Sequence, residues 1–266
     1  MICEMDRLFD LAFVRLPSDS YPHCVSSNPD RNKIDVNLAR EQHRQYVSIL
    51  RECGVNVVEL QALESFPDSV FMQDPALVGS HRVMIGRFGE PKRRGEEKVF
   101  ANELDERKDT VGALGFVTPP GTLEGGDIVV TEQGIFVGES SRTNSAGIEQ
   151  LRSGLPELRV ERVTTSLFHL LCGCSYLANR EMIICPDLVD AGAFPGFHFI
   201  RIPKQEAYAC DALYVGEGRV MIPSGYPATA AKLIGAGYIP IEVEVSEFKK
   251  GDGGVTCLTS PVYKLF

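Results

Sequence analysis

Pairs of short apolar runs recur along this chain. Most pairs are followed by a stretch whose apolar positions return every three to four residues, and then by one more apolar run. PALVGSHRVMIGRF (75–88) reads as a hairpin, the amphipathic pattern over 94–113 as a helix, and GFVTP as a strand. GDIVVTEQGIFVGE is a second hairpin, turning at Glu132-Gln133-Gly134, followed by the helical SAGIEQLRS and the strand LRVERV. A third copy runs from SYLANREMIIC to FHFIRIP with a poorly defined helix between them. A fourth joins ALYVGEGRVMIPSG, the helix ATAAKLIGAG and YIPIEVEV.

The remaining pieces are divided between the two ends. DLAFVRLP, a helix over 37–53 and NVVEL stand at the start, and VTCLTSPVYKLF supplies strands at the finish. Joined, they complete a fifth unit and close a ring, and closure would remove exposed sheet edges. No linker or low-complexity tract divides residues 1–266, so a single α/β domain is expected. In such a ring, turns from every unit would converge on one central cavity.

Composition narrows the function by exclusion. A formal charge of -9 argues against nucleic acid or an anionic membrane as partner. No run approaches the ~18 to 20 apolar residues of a membrane span, and the N-terminal stretch lacks the features of a signal peptide. Eight cysteines are scattered through a chain large enough to bury a core, several of them in apolar runs. They read as reduced thiols, which places the chain in the cytoplasm. Cys172 and Cys174 lie too close together for a usual structural zinc site and have no second ligand pair at a zinc-finger distance. No metal and no cofactor are expected.

Several polar residues stand in apolar or glycine-rich surroundings: Asp68 and Asp74 in PDSVFMQDPALV, Glu124 and Asp127 in GTLEGGDIVV, His169 in SLFHLLCGC, and Asp252 and Cys257 in KKGDGGVTC. Arg93 and Arg142 each precede an expected helix. Singly, most read as turn, core or surface residues, with Glu124 and Cys257 the exceptions. Together, a thiol, a histidine, carboxylates and guanidinium groups form a set suited to nucleophilic attack on a charged substrate.

The order and wording of these motifs resemble the dimethylarginine dimethylaminohydrolases of the guanidino-group-modifying (pentein) superfamily. The resemblance runs through FPDSVFMQDPALV, RRGEE, GTLEGGDIVV, GESSRTNSAG, FHLLCGCSYL, VMIPSGYP and DGGVTC. It implies a five-bladed α/β propeller and hydrolysis of a guanidino C–N bond in N-ω-methylated arginine, giving citrulline and a methylamine. Free arginine, with release of ammonia, is the alternative substrate, and a silent binder of arginine-like ligands the less favoured third reading. Cys257 matches the family's nucleophile, His169 its general acid/base and Glu124 a catalytic carboxylate that, with Asp74, holds the guanidinium. Arg93 and Arg142 match the pair that binds the substrate α-carboxylate, and Asp68 a residue near its α-amino group. Phe71, Gln73, Asp252 and Val255 fall at substrate-binding positions, and Cys24 or a neighbour in the mobile loop. At Gln73 the family usually carries an acidic residue, so the contact expected there is neutral. The implied partner is a small guanidino compound, with a homodimer as the candidate assembly.

Overall fold

The computed structural model describes residues 7–264. Strand β1 (Phe9–Arg15) leads by a long loop to helix α1 (Val36–Glu52) and strand β2 (Asn56–Leu60). The Asp35 side chain starts α1 by accepting from the Asn37 and Leu38 amides, an N-cap. Ala39, His43, Tyr46, Val47 and Leu50 form its buried face, the spacing of one helical stripe.

The hairpin β3 (Ala76–Gly79) and β4 (Arg82–Ile85) is followed by α2 (Glu96–Asp105), the short α3 (Lys108–Val111) and β5 (Ala113–Phe116). The single helix expected over 94–113 is thus broken. Acidic Asp105 and Glu106 oppose the helix dipole at its C-terminal end, and the Arg107 amide closes a turn onto the Leu104 carbonyl at 2.8 Å. Next come β6 (Ile128–Thr131), β7 (Gly134–Glu139), α4 (Ser145–Gly154) and β8 (Val160–Thr164).

The third unit, β9 (Cys174–Tyr176), β10 (Glu181–Ile184) and β11 (His198–Arg201), has no α-helix. Its crossover carries Pro186, Gly192, Pro195 and Gly196 and forms only a 3-10 turn at Ala191–Ala193. Phe194 and Phe197 fill that space, both packing on Phe136. The fourth unit is regular, with β12 (Leu213–Gly216), β13 (Arg219–Pro223), α5 (Pro227–Gly235) and β14 (Ile239–Val243). After the short α6 (Ser246–Lys250), β15 (Ser260–Tyr263) pairs antiparallel with β1, completing a fifth unit from both ends of the chain.

Each unit is an antiparallel pair followed by a crossover to a parallel third strand. Among the described residues, one junction between units is a hydrogen-bonded ladder, β15 with β3, which yields a six-stranded sheet beside three separate three-stranded ones, and a single bridge joins Arg87 to Leu123. Closure therefore leaves most sheet edges in place, contrary to the expectation of an edge-free ring. Side-chain packing closes it instead. Five buried apolar clusters join neighbouring units in turn, from Phe13 and Leu60 with Val78 and Val83, through Met84 with Ile128, Phe136 with Met182 and Ile183 with Val220, to Met221 with Phe9. The described cysteines are all free, and Cys3 lies outside the described residues. Among the described residues, no helix is long and apolar enough to cross a membrane.

Candidate active site

The segment that leads into the first strand of every unit carries a polar or sulfur-bearing side chain. Asp74 precedes β3, Asp127 precedes β6, Cys172 precedes β9, Asp211 precedes β12 and Cys257 precedes β15. The ring brings these segments together. A narrow cavity is lined by Asp68, Phe71, Asp74, Arg93, Arg142, His169, Asp252 and Cys257. A larger open groove beside α2 and β5, lined by Lys98, Asn102, Asp105 and Phe116, holds none of this chemistry.

His169 stands just ahead of a 3-10 turn at Leu170–Cys172. Its Nε2 lies 3.0 Å from Glu124 Oε2, and its Nδ1 lies 3.8 Å from Asp74 Oδ1. Burial works against an imidazolium here, but Asp74, Glu124 and Asp127 outweigh it and push the pKa up to about 9. Gly126 makes this packing possible, since a Cβ there would come within 2.3 Å of Nδ1.

Glu124 is fully buried behind His169 and does not line the cavity. Its Oε1 accepts from the Gly89 amide at 2.8 Å. Burial favours its neutral form, yet the bond to His169 and the charges of His169, Arg93 and Arg142 hold its pKa down at about 2. The 140–144 loop is tied to the same segment: Ser140 Oγ donates to Asp127 Oδ2 at 2.7 Å, and the Glu124 amide donates to Thr143 Oγ1 at 3.1 Å.

The two arginines are not equivalent. Arg93 donates to Asp74 Oδ2 at 2.6 Å, to Glu96 from Nε and Nη2, and to the Asp68 carbonyl at 3.4 Å. It also stacks on Phe88, 4.4 Å from its centroid. Arg142 lies over the Phe168 ring at 4.2 Å, and its buried Nη1 makes no hydrogen bond, its nearest carboxylate oxygen being Glu124 Oε2 at 3.5 Å.

Cys257 sits in a 3-10 turn, half-buried, with Sγ 3.7 Å from Asp211 Oδ2. Burial, then Asp211 and Asp74, raise its pKa well above the ordinary thiol value. The glycines ahead of it serve close approach: a Cβ on Gly254 would fall 2.1 Å from Asp211 Oδ2.

Three expected residues lie elsewhere. Gln73 turns away from the cavity, donating to the Gly125 carbonyl at 3.3 Å and lining a separate cavity with Ile128, Ser175 and Tyr263. Residues 72–75 form a turn ahead of β3, in which Gln73 points into this second cavity while the next side chain, Asp74, lines the first. Cys24 is core, its thiol pushed up to about 12 by burial, and Val25 lines the cavity instead. Val255 is buried among apolar side chains, and its carbonyl accepts from Tyr46. Asp68 and Asp252 are engaged by the 18–30 loop: the Val25 amide donates to Asp68, and the Ser27 amide donates to Asp252 at 2.6 Å.

Sequence reasoning passed over Asp211, which among leucines and tyrosines looks like a turn residue. Its place just ahead of the first strand of a unit, like Asp74, was the available signal. Among the described residues, Asp74, Glu124 and His169 alone converge closely enough to hold an ion. They are already neutralised by Arg93 and Arg142 and by their own pairing.

Five such units around one polar cavity are the architecture of the pentein superfamily. The family model described as N,N dimethylarginine dimethylhydrolase, eukaryotic, matches residues 22–264. An uncharacterized protein of Aeropyrum pernix is 40% identical over the whole of both chains. The N(G),N(G)-dimethylarginine dimethylaminohydrolase of Pseudomonas aeruginosa is 35% identical, over 95% of this chain and 99% of that one. A solved structure of the Pseudomonas enzyme, a Cys→Ser mutant complexed with citrulline, superposes with a TM-score of 0.89 at 34% identity, covering 96% of this chain and 100% of that one. This chain belongs to the dimethylarginine dimethylaminohydrolase family.

Proposed function

We propose that this chain hydrolyses the guanidino C–N bond of N-ω-methylated arginine, releasing a methylamine and leaving citrulline. The observation that carries this reading is that Cys257, His169 and Asp74 border one cavity, with Nη1 of Arg142, which makes no hydrogen bond, buried beside it. A guanidinium carbon is a poor electrophile until its N–H groups are fixed in a plane. Asp74 retains lone pairs for that purpose after bonding Arg93 and the Gly126 amide. Arg142 offers its Nη1 to the substrate α-carboxylate.

In this scheme Cys257 rests as a neutral thiol, and the arriving cation stabilises its thiolate. Sγ attacks the guanidinium carbon, and His169, an imidazolium at neutral pH, protonates the departing amine as the C–N bond breaks. The neutral imidazole then takes a proton from water as it attacks the S-linked intermediate. Citrulline forms as the C–S bond breaks. Glu124 holds His169 in place throughout.

Citrulline release measured with asymmetric dimethylarginine, monomethylarginine and arginine tests the reading, with methylamines and ammonia counted separately. Cys257→Ser should abolish citrulline formation while retaining ligand binding. Faster turnover of arginine than of either methylated substrate would overturn the substrate assignment. Appreciable turnover by Cys257→Ser would remove the thiol from the reaction.

A further inference from the structure

We propose that Asp211 accepts the Cys257 thiol proton, and is thereby a catalytic residue of the reaction above, on which this inference rests. His169 is poorly suited to that transfer. It is held by Glu124 and is already protonated at neutral pH. Asp211 is the carboxylate to which Sγ donates, at 3.7 Å.

The contact is built from both sides. Asp211 Oδ1 accepts from the Thr256 amide at 2.7 Å, which clamps the carboxylate to the residue before the nucleophile. The bare backbone at Gly254 admits Oδ2, where a Cβ would stand 2.1 Å away. Asp211 is buried and bonds no arginine or lysine among the described residues, so neutralisation by a proton relieves its desolvation. Burial accordingly raises its pKa to about 6. The titratable groups acting on Cys257 are Asp211, Asp74 and Cys172, and Asp211 in turn acts on Tyr46 and Tyr208.

The proton balance closes. As the guanidinium enters, the S–H proton moves to Asp211 Oδ2, giving thiolate and carboxylic acid, and Sγ bonds to the guanidinium carbon. After hydrolysis the C–S bond breaks as the citrulline carbonyl forms, and Asp211 returns its proton to sulfur. The hydroxyl proton of the collapsing intermediate passes to solvent, where the released amine takes it up as an ammonium ion.

The test compares the parent protein with Asp211→Asn, which keeps an acceptor for the Thr256 amide. Turnover of dimethylarginine by the parent establishes the underlying reaction, and its absence would sink that reading rather than this one. In the variant, kcat should fall by roughly 100-fold or more, the range of a lost proton-transfer group. Alkylation of Cys257 by iodoacetamide without substrate should shift to lower pH, because a negative charge beside the thiol is gone. A merely structural role would slow both reactions together. Unchanged turnover, or slower turnover with alkylation slowed or unshifted, would overturn the proposal. Should the amide variant fail to fold, Asp211→Ser is read by the same two measurements.

Discussion

Nε2 of His169 and Oε2 of Glu124 lie 3.0 Å apart, both side chains buried, the imidazole at the cavity wall and the carboxylate behind it. Against the effect of burial, Asp74, then Glu124 and Asp127, push His169 up from 6.5 to about 9, and His169, then Arg93 and Arg142, hold Glu124 down from 4.5 to about 2. The histidine's contribution to stability is therefore complete below about pH 6.5 and is lost as pH rises through 9. That of the glutamate is complete above about pH 4.5 and is lost as pH falls through 2.

His169→Gln should accordingly be destabilised most between pH 4.5 and 6.5, and its deficit against the parent should shrink as pH rises to 9. At about 1.4 kcal/mol per pKa unit, the pH-dependent part is on the order of 3 kcal/mol. Urea unfolding of both proteins across this range measures it. A deficit that does not vary with pH would mean that His169 is not an imidazolium in the folded protein.

The two arginines should separate cleanly. Arg142→Ala removes a guanidinium whose Nη1 makes no hydrogen bond and stands 3.5 Å from Glu124, which keeps its bond to His169, so the loss of stability should be small while KM rises roughly tenfold to hundredfold. Arg93→Ala instead strands the buried carboxylates of Asp74 and Glu96, and burial already pushes Glu96 up to about 7 with the arginine present. A loss of about 3 to 5 kcal/mol of stability is expected, in the range for breaking a buried pair. Thermal melts and Michaelis plots of both variants check this, and a stable Arg93→Ala with raised KM would restore it as a simple substrate contact.

Gln73 is buried beside the Gly125 carbonyl on the far side of the chain from Asp74. Gln73→Glu should leave the arginine-to-dimethylarginine ratio of kcat/KM unchanged, while lowering stability by placing a charge in an apolar surround. A ratio moved toward arginine would show that the side chain reaches the guanidinium after all.

These residues also mark what the sequence could disclose. Strand β2 spans Asn56–Leu60, the limits read from NVVEL, because a cysteine-glycine turn and a polar loop bound its apolar run. The repeat was legible for the same reason, through hairpin turns at fixed places between apolar runs. The missing helix of the third unit was only faintly legible, since prolines and glycines weaken a helical pattern without saying what replaces it. Gln73 and Asp211 depend on direction and distance. Gln73 and Asp74 are neighbours in a turn, and which of the two side chains faces the cavity is decided by how the ring packs around that turn. Asp211 meets Cys257 across 46 residues of sequence, at a glycine whose reason is visible only when both segments are in place.

Gly126 offers the most direct test of how the site is held. A Cβ on this residue would lie 2.3 Å from Nδ1 and 2.7 Å from Cγ of His169, closer than real contacts allow. The ring cannot retreat freely, because Glu124 holds its other nitrogen and Phe168 stacks against it at 4.5 Å. Gly126→Ala should therefore move the imidazole off the leaving-group position, and misplacement of a catalytic group by about 1 Å can cost on the order of 100-fold. Cys257 lies on another segment, so the thiouronium adduct should still form, more slowly, and then persist. Rapid quench with intact-mass detection would show that adduct accumulating where the parent shows little. Parent-like turnover by Gly126→Ala would mean that the imidazole position is not set by this contact.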